Sequence, residues 1–151
     1  MAYSGKYTLK HPEKYIGDPT NVKYLSLWER NCIKAFDTCK SIEKWFAPTG
    51  SFEFVIPYLS PIDDCKKPHR YLPDFLVQIR QVDGSIKKYL IEVKPEIQTR
   101  PPKLPKSNRK TRRWQNAMMT YAVNMAKWDA ARVWCEKHGY TFKILTEKET
   151  A

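Results

Sequence analysis

The sequence predicts an α/β fold in which a mixed sheet is flanked by helices. Apolar residues recur at helical spacing over residues 21–45 and again over residues 111–138. Between these stretches, shorter segments alternate apolar and polar residues around turn signals, which is typical of strands. One more apolar segment, residues 140–145, follows the second helix. The predicted order is therefore helix, three strands, helix, strand.

The composition is that of a globular chain with a basic surface. We assign residues 1–20 to an N-terminal arm and residues 21–151 to a single domain. The formal net charge of +11 favours a polyanionic partner. No apolar run reaches about 18 residues, so we expect no membrane partner. None of the four cysteines forms a C-x-x-C pair, and we expect free thiols in an intracellular protein.

The first helix is expected to end before Pro48, where the chain carries helix-breaking residues. Its apolar stripe is formed by Leu25, Trp28, Cys32, Ala35 or Phe36, Cys39 and Ile42. Glu29 lies beside this stripe. Residues 52–59 are predicted to form a short strand, and residues 63–70 a polar loop.

A hairpin follows, with strands predicted over residues 71–80 and 86–94 and an Asp-Gly turn signal between them. A two-residue turn would place Asp74 and Glu92 on opposite faces of the hairpin. A three-residue loop that ends at Gly84, with this glycine in the left-handed conformation, places the two carboxylates opposite each other on one face. We predict the three-residue loop.

This register gathers charged groups at one end of the hairpin. Glu92 and Lys94 are two residues apart, so their side chains point the same way. Directly opposed carboxylates repel, so Asp74 opposite Glu92 indicates a cation between them. The other face is apolar and suited to packing against helices; it comprises Phe75, Val77, Ile79, Tyr89, Ile91 and Val93.

Two carboxylates and one lysine at a strand end are groups that a divalent metal and a phosphodiester require. Oxygen ligands suit Mg²⁺, with Mn²⁺ as a substitute. Lys94 could stabilise charge that develops on the phosphate, or help to deprotonate water if its pKa is depressed. The alternative interpretation is a solvated ion pair between Glu92 and Lys94.

Residues 98–113 form a basic loop that directly follows this strand. The loop contains seven lysine and arginine residues, three prolines and no acid. A solvated linker is one interpretation, but unneutralised charge beside the candidate site favours contact with phosphates. The expected DNA-binding residues are Arg100, Lys103, Lys106, Arg109, Lys110, Arg112 and Arg113. Gln115 is a weaker candidate, and Lys127 either reaches a phosphate or is solvated.

The second helix is predicted over residues 111–138, either as one long helix or as two short ones that break near Asn124. Gly139 is a C-cap signal. The apolar stripe of this region comprises Trp114, Met118, Tyr121, Met125, Trp128, Ala131 and Cys135.

The arrangement resembles the PD-(D/E)XK nuclease superfamily, in which an acid on a helix is followed by Pro-Asp and Glu-x-Lys on two strands. Here these are Glu29, Pro73-Asp74 and Glu92-Val93-Lys94, and the element order resembles the restriction-endonuclease-like αβββαβ core. A closer resemblance is to the head completion nucleases of contractile-tailed bacteriophages, a family similar to TnsA-like transposon endonucleases. The residues that carry it are Met1–Tyr7, Lys14-Tyr15, Gly17–Pro19, Ser26–Arg30 and Tyr121–Ala131.

The resemblance implies a role for each residue of the site. Asp74, Glu92 and the backbone carbonyl of Val93 are expected to hold Mg²⁺. Lys94 is expected to position or activate the attacking water, and Glu29 to assist at the metal.

The resemblance also implies a metal-dependent nuclease that hydrolyses double-stranded DNA during phage head completion and head–tail joining. Its expected partners are phage head or neck proteins, and its expected locations are the host cytoplasm and the virion. The alternative is a structural DNA-binding head-completion protein whose catalysis is dispensable. The intact set of Asp74, Glu92 and Lys94 favours the nuclease.

Overall fold

The computed structural model describes residues 4–48 and 54–148. Within these residues the α-helices are α1 (Leu27–Thr38) and α2 (Arg112–His138). The strands are β1 (Gly5–Lys6), β2 (Lys23–Tyr24), β3 (Ile42–Phe46), β4 (Ile56–Leu59), β5 (Pro68–Tyr71), β6 (Phe75–Arg80), β7 (Ile86–Val93) and β8 (Thr141–Leu145). Short 3-10 helices span Pro12–Lys14, Pro61–Asp63 and Glu96–Thr99.

The central sheet has four strands in the order β3-β6-β7-β8. The pairs β3–β6 and β6–β7 are antiparallel, whereas β7 and β8 are parallel, so the sheet is mixed. Read along the chain, α1, β3, β6, β7, α2 and β8 form the αβββαβ core. The predicted fold class is therefore confirmed.

The hairpin β6–β7 has the predicted register. Phe75 pairs with Ile91 and Arg80 with Ile86. The Gln81 nitrogen donates a hydrogen bond of 2.7 Å to the Ser85 carbonyl, which closes a three-residue loop. Gly84 ends this loop with φ +88°, a conformation that favours glycine because a side chain would be strained there.

The helix predicted over residues 21–45 was too long at both ends, and its last residues belong to β3, the first strand of the core. The helix α1 is shorter, and the chain turns into β3 after Cys39, whose backbone is extended. A register shift between Ile42 and Lys44 places Ile42 and Trp45, three residues apart, on the buried side of the strand. This bulge imitates helical spacing, which is why the apolar pattern was misread.

The strand predicted over residues 52–59 lies outside the central sheet. Its described part, β4, pairs with β5 in a separate two-stranded ribbon. Phe52 and Glu53 fall outside the described residues. The predicted loop over residues 63–70 was wrong in its last part, because β5 begins at Pro68.

The hairpin strand predicted from Tyr71 begins later, at Phe75. Pro73 lies between Tyr71 and Phe75, and proline has no N–H with which to continue a ladder.

The sheet is packed on both faces. One face places Phe75, Val77 and Ile91, part of the predicted apolar layer, in a cluster with residues of α1. The opposite face packs against α2 through a second cluster, which includes Leu76, Leu90, Trp128, Ala131 and Cys135.

The segment before β2 is tied to the C-terminal end of α1. The Asp37 carboxylate is fully buried and accepts hydrogen bonds from the backbone nitrogens of Lys10, at 2.8 Å, and His11, at 2.9 Å. The Lys14 ammonium donates to the carbonyls of Phe36 and Cys39 at 2.7 and 2.8 Å. The two Lys14 bonds satisfy carbonyls that the end of a helix leaves unpaired.

The second helix is continuous. The Thr111 hydroxyl caps its first turn by accepting a hydrogen bond of 3.1 Å from the Trp114 nitrogen, and Gly139 ends it with φ +74°. Asn124 is buried within the helix and does not break it. Among the described residues, no helix is both long and apolar enough to cross a membrane.

Candidate active site

Asp74 and Glu92 meet where β6 begins and β7 ends. Asp74 precedes the first residue of β6, and the register of the hairpin, extended by one residue, places it opposite Glu92. Its Oδ2 accepts a hydrogen bond of 2.7 Å from the Val93 backbone nitrogen. Asp74 is therefore fastened to the strand that carries Glu92.

Glu92 is buried, with 7% of its surface exposed, and its carboxylate has contacts on both sides. The Tyr71 hydroxyl donates a hydrogen bond of 2.5 Å to Oε2. The Lys94 ammonium lies 4.0 Å from Oε1. The structure thus brings together Asp74, Glu92 and Lys94, and adds Tyr71 to them.

The electrostatics of this pair are those of two neighbouring carboxylates, one buried (Glu92) and one half-buried (Asp74). Burial raises the pKa of Asp74 to about 8, and the charge of Glu92 contributes to this rise. Burial also raises the pKa of Glu92, while the Tyr71 hydrogen bond and the charges of Lys94 and Lys127 lower it. Each acid is therefore costly to ionise without a cation.

Glu29 is coupled electrostatically to this pair, since its charge contributes to the raised pKa of both Asp74 and Glu92. It occupies the first turn of α1. Its backbone nitrogen donates to the Ser26 hydroxyl at 3.1 Å, and its Oε2 accepts from the Leu25 nitrogen at 3.0 Å. Glu29 thus also serves the start of the helix, in a variant of the capping box.

Comparison with known proteins places the chain in a family. The sequence matches the TnsA-like endonuclease N-terminal family over residues 36–147. The chain belongs to the TnsA-like endonuclease family. It is also 38% identical over 149 residues to the head completion nuclease of Enterobacteria phage T4, an alignment that covers 97% of this chain and 93% of that protein. The family resemblance noted from the sequence is confirmed.

The match to the TnsA-like family encloses Asp74, Glu92 and Lys94 but begins after Glu29. The first three residues thus lie within the endonuclease match, whereas Glu29 is linked to the site only through the effect of its charge on Asp74 and Glu92. The T4 relative covers almost the whole chain and therefore includes the region of Glu29.

The residues of this TnsA-like site fit a hard divalent cation. Among residues 4–48 and 54–148, no group of three or more His, Cys, Asp or Glu side chains is arranged to hold a metal. The donor set is instead two carboxylates, and Mg²⁺ is commonly bound by one or two carboxylates while it retains several waters. Burial is the main cause of the raised pKa values of both acids, and a bound cation would favour their ionised forms.

The basic loop is exposed and little neutralised in this TnsA-like protein. Arg100 forms a salt bridge with Glu96. Among the described residues, the other six basic side chains form no salt bridge with an acid, and all six are exposed. They are Lys103, Lys106, Arg109, Lys110, Arg112 and Arg113. The Trp114 indole nitrogen donates to the Pro102 carbonyl at 3.2 Å and so ties the loop to α2.

The two remaining DNA-binding candidates differ in position. The Gln115 side-chain amide donates to the Lys110 carbonyl at 3.1 Å, so it serves the junction between loop and helix. Lys127 is half-buried, lies 5.8 Å from the centre of the Tyr58 ring and lowers the pKa of Glu92 by its charge. Lys127 therefore lies near the carboxylate pair, whereas Gln115 is part of the loop.

Tyr71 was not among the residues selected from the sequence. It ends β5, in a segment interpreted as the start of the hairpin, and its contact with Glu92 joins the two-stranded ribbon to the central sheet. Tyrosine at this position has the pattern of an ordinary apolar strand residue, because nothing local shows where the hydroxyl will point. Only the tertiary fold identifies it.

Proposed function

We propose that this chain is a divalent-metal-dependent nuclease that hydrolyses phosphodiester bonds in double-stranded DNA. One observation carries the proposal: Asp74 and Glu92 are paired at the sheet end, and Lys94 lies 4.0 Å from Glu92. A buried and a half-buried acid with raised pKa values are unfavourable in a protein whose only task is to remain folded. Membership of an endonuclease family supports the same conclusion.

Asp74, Glu92 and the backbone carbonyl of Val93 would hold Mg²⁺, with Mn²⁺ as a substitute. When bound, the cation supplies a Lewis acid for the phosphate and makes a coordinated water more acidic. The Val93 nitrogen donates a hydrogen bond to Asp74 Oδ2, so Oδ1 would be available as a metal ligand.

Lys94 and Glu29 would act on the substrate side. Because Lys94 stands beside Glu92 Oε1, its ammonium can approach a phosphate oxygen near the cation and stabilise charge that develops there. Glu29 approaches from α1 and would orient water by accepting a hydrogen bond from it. Its present contact with the Leu25 nitrogen uses only one of its two oxygens.

The basic loop and Lys127 would hold the DNA backbone. The loop begins a few residues beyond Lys94, so a duplex lying along it would pass the carboxylate pair. Its exposed cations suit phosphate contacts, which give affinity without reading sequence. The proposed phosphate contacts are Arg100, Lys103, Lys106, Arg109, Lys110, Arg112, Arg113, Gln115 and Lys127.

We further propose that this activity serves phage head completion, as the name of the T4 relative suggests. The enzyme would trim a packaged DNA end before the tail joins, and the protein would be located in the host cytoplasm and in the virion. Its partners would be phage head or neck proteins. The second candidate function is a structural head-completion protein that binds DNA, and the exposed basic loop favours it as much as it favours an enzyme.

The direct test is incubation of the purified protein with supercoiled plasmid and with linear duplex, in Mg²⁺ and in EDTA. A nuclease of this type should cleave DNA in Mg²⁺ or Mn²⁺ and show no cleavage in EDTA. Nicked plasmid would indicate endonucleolytic cleavage, whereas degradation of the linear duplex alone would indicate action from ends. Binding without cleavage on either substrate would favour the structural alternative.

A further inference from the structure

Tyr71 makes a contact with the site that the roles described so far do not include. Its side chain is buried, with 4% of its surface exposed, and its hydroxyl donates a hydrogen bond of 2.5 Å to Glu92 Oε2. Such a bond can either satisfy a buried hydroxyl or orient the acid that accepts it.

The tyrosine ring is held in place independently of Glu92. Tyr71 pairs with Ile56 across the two-stranded ribbon, and its ring belongs to the cluster that contains Trp128 and Cys135 of α2. A packed aromatic ring has little freedom to turn, so the direction of the hydroxyl is fixed by the ribbon and the helix. Glu92 must therefore adjust to Tyr71, rather than the reverse.

This contact makes the two oxygens of Glu92 inequivalent. The Tyr71 hydroxyl engages Oε2, whereas Oε1 is the oxygen beside the Lys94 ammonium, at 4.0 Å. A glutamate has three side-chain torsions and would otherwise present either oxygen. Since Tyr71 lies only three residues before Asp74, one short segment of chain delivers both the second carboxylate and the group that orients the first.

We propose that Tyr71 is a positioning residue, which orients Glu92 so that Oε1 faces the cation and Lys94. The proposal rests on the function proposed above, because it requires a cation at Asp74 and Glu92. Groups that orient metal ligands through hydrogen bonds contribute about tenfold to a hundredfold in metal affinity. A hydroxyl with only a structural role would affect stability and leave metal affinity unchanged.

The experiment measures Mn²⁺ binding to the full chain by titration calorimetry for the wild type, Tyr71→Phe and Tyr15→Phe. Tyr71→Phe keeps the packed ring and removes only the hydroxyl. It should weaken Mn²⁺ binding about tenfold or more, and shift the Mn²⁺ concentration needed for half-maximal cleavage by a similar factor. Tyr15→Phe is the matched control, because the Tyr15 hydroxyl contacts the Ala47 carbonyl and nitrogen at 3.3 Å, within the other core cluster.

A second measurement asks whether Tyr71 acts through Glu92. In a Glu92→Gln background, Tyr71→Phe should change the residual Mn²⁺ affinity by less than about twofold, because the oriented acid is already absent. Equal Mn²⁺ affinity of wild type and Tyr71→Phe would overturn the proposal, as would a Tyr71→Phe protein that fails to fold. A wild type that neither binds Mn²⁺ nor cleaves DNA would instead overturn the proposed function, and Tyr71 would then be structural.

Discussion

Asp74 accepts a hydrogen bond of 2.7 Å from the backbone nitrogen of Val93, the residue that follows Glu92. The bond crosses from the segment before β6 to the end of β7, and it fixes two acids side by side where the sheet ends. The raised pKa of Asp74 shows that its ionised form is unfavourable in this position. A cation bound between Asp74 and Glu92 would stabilise that ionised form.

Replacement of Asp74 by asparagine should stabilise the metal-free protein at high pH. Burial and the charge of Glu92 raise the pKa of Asp74 to about 8, well above the value of about 3.9 expected in the unfolded chain. Between these values the folded state binds more protons, so wild-type stability falls as pH rises. We expect Asp74→Asn to gain roughly 1–3 kcal/mol at pH near 8 and little at pH near 4.

Urea denaturation in EDTA at several pH values measures this difference. Addition of Mg²⁺ at high pH should stabilise the wild type, since a ligand that binds only the folded state raises its stability. Asp74→Asn should gain much less from Mg²⁺. If the free energies of unfolding of variant and wild type differ by the same amount at every pH, ionisation of Asp74 carries no cost in the folded protein.

Glu29 should contribute to cleavage without being essential. Glu29→Gln retains an oxygen that can accept from the Leu25 nitrogen but removes the charge near Asp74 and Glu92. We expect cleavage to fall about tenfold, as for groups that assist rather than bind a metal. The control is Ser26→Ala, which removes the cap hydroxyl of α1 and should cost about 1 kcal/mol of stability. An equal decrease in cleavage for both variants would assign Glu29 to the helix cap.

Neutralisation of the basic loop should weaken DNA binding at every sequence. The variant replaces Arg109, Lys110, Arg112 and Arg113 with glutamine. The slope of the logarithm of affinity against the logarithm of salt concentration should flatten by up to about one unit for each phosphate that the variant no longer binds. Fluorescence anisotropy with a labelled duplex at several salt concentrations measures the slope.

A control with the same change in net charge separates local binding from general electrostatics. It replaces four exposed lysines outside the loop, namely Lys34, Lys40, Lys87 and Lys143. These substitutions should alter affinity at low salt but leave the slope close to that of the wild type. If both variants flatten the slope equally, the loop has no special role in holding DNA.

Asp37 provides a prediction about stability that is independent of the site. Its fully buried carboxylate accepts hydrogen bonds from the backbone nitrogens of Lys10 and His11. Asp37→Ala would leave both N–H groups without this acceptor, so we expect a decrease of about 2–4 kcal/mol in the free energy of unfolding. Glu13→Gln, at an exposed position nearby, should change stability by less than about 0.5 kcal/mol. A mild effect of Asp37→Ala in chemical denaturation would show that water replaces the carboxylate there.

In phage assembly, a catalytically inactive variant should give the same defect as complete absence of the protein. If trimming of a packaged DNA end is the purpose, then absence of the protein should leave DNA-filled heads that do not accept tails. Complementation with Glu92→Ala should fail in the same way, provided that the variant folds and binds DNA. Normal infectious particles with Glu92→Ala would instead support the structural DNA-binding function.

The parts of this protein that the sequence predicted correctly depend on local chemistry. Gly84 and its Asp-Gly turn determined the loop length, and loop length determined the register that places Asp74 opposite Glu92. Gly139 likewise marked the C-terminal end of α2. These signals lie within a few residues of the features they control.

The parts that were missed depend on contacts between distant segments. Trp45 was assigned to a helix because a bulge in β3 gave helical spacing to the buried positions of a strand. Tyr71 was overlooked because its hydroxyl meets Glu92 only when the two-stranded ribbon packs beside the central sheet. Neither feature has a signature in its own neighbourhood of the sequence.

The most direct test of the site is cleavage of supercoiled plasmid in Mg²⁺ by wild type, Glu92→Gln and Glu43→Gln. Glu43 is a matched control because it pairs with Arg80 on the exposed surface of β3, away from the carboxylate pair. We predict that Glu43→Gln cleaves like the wild type, whereas the rate of Glu92→Gln falls by at least about a hundredfold while the variant remains folded. Cleavage by Glu92→Gln at the wild-type rate would contradict the assignment of this site.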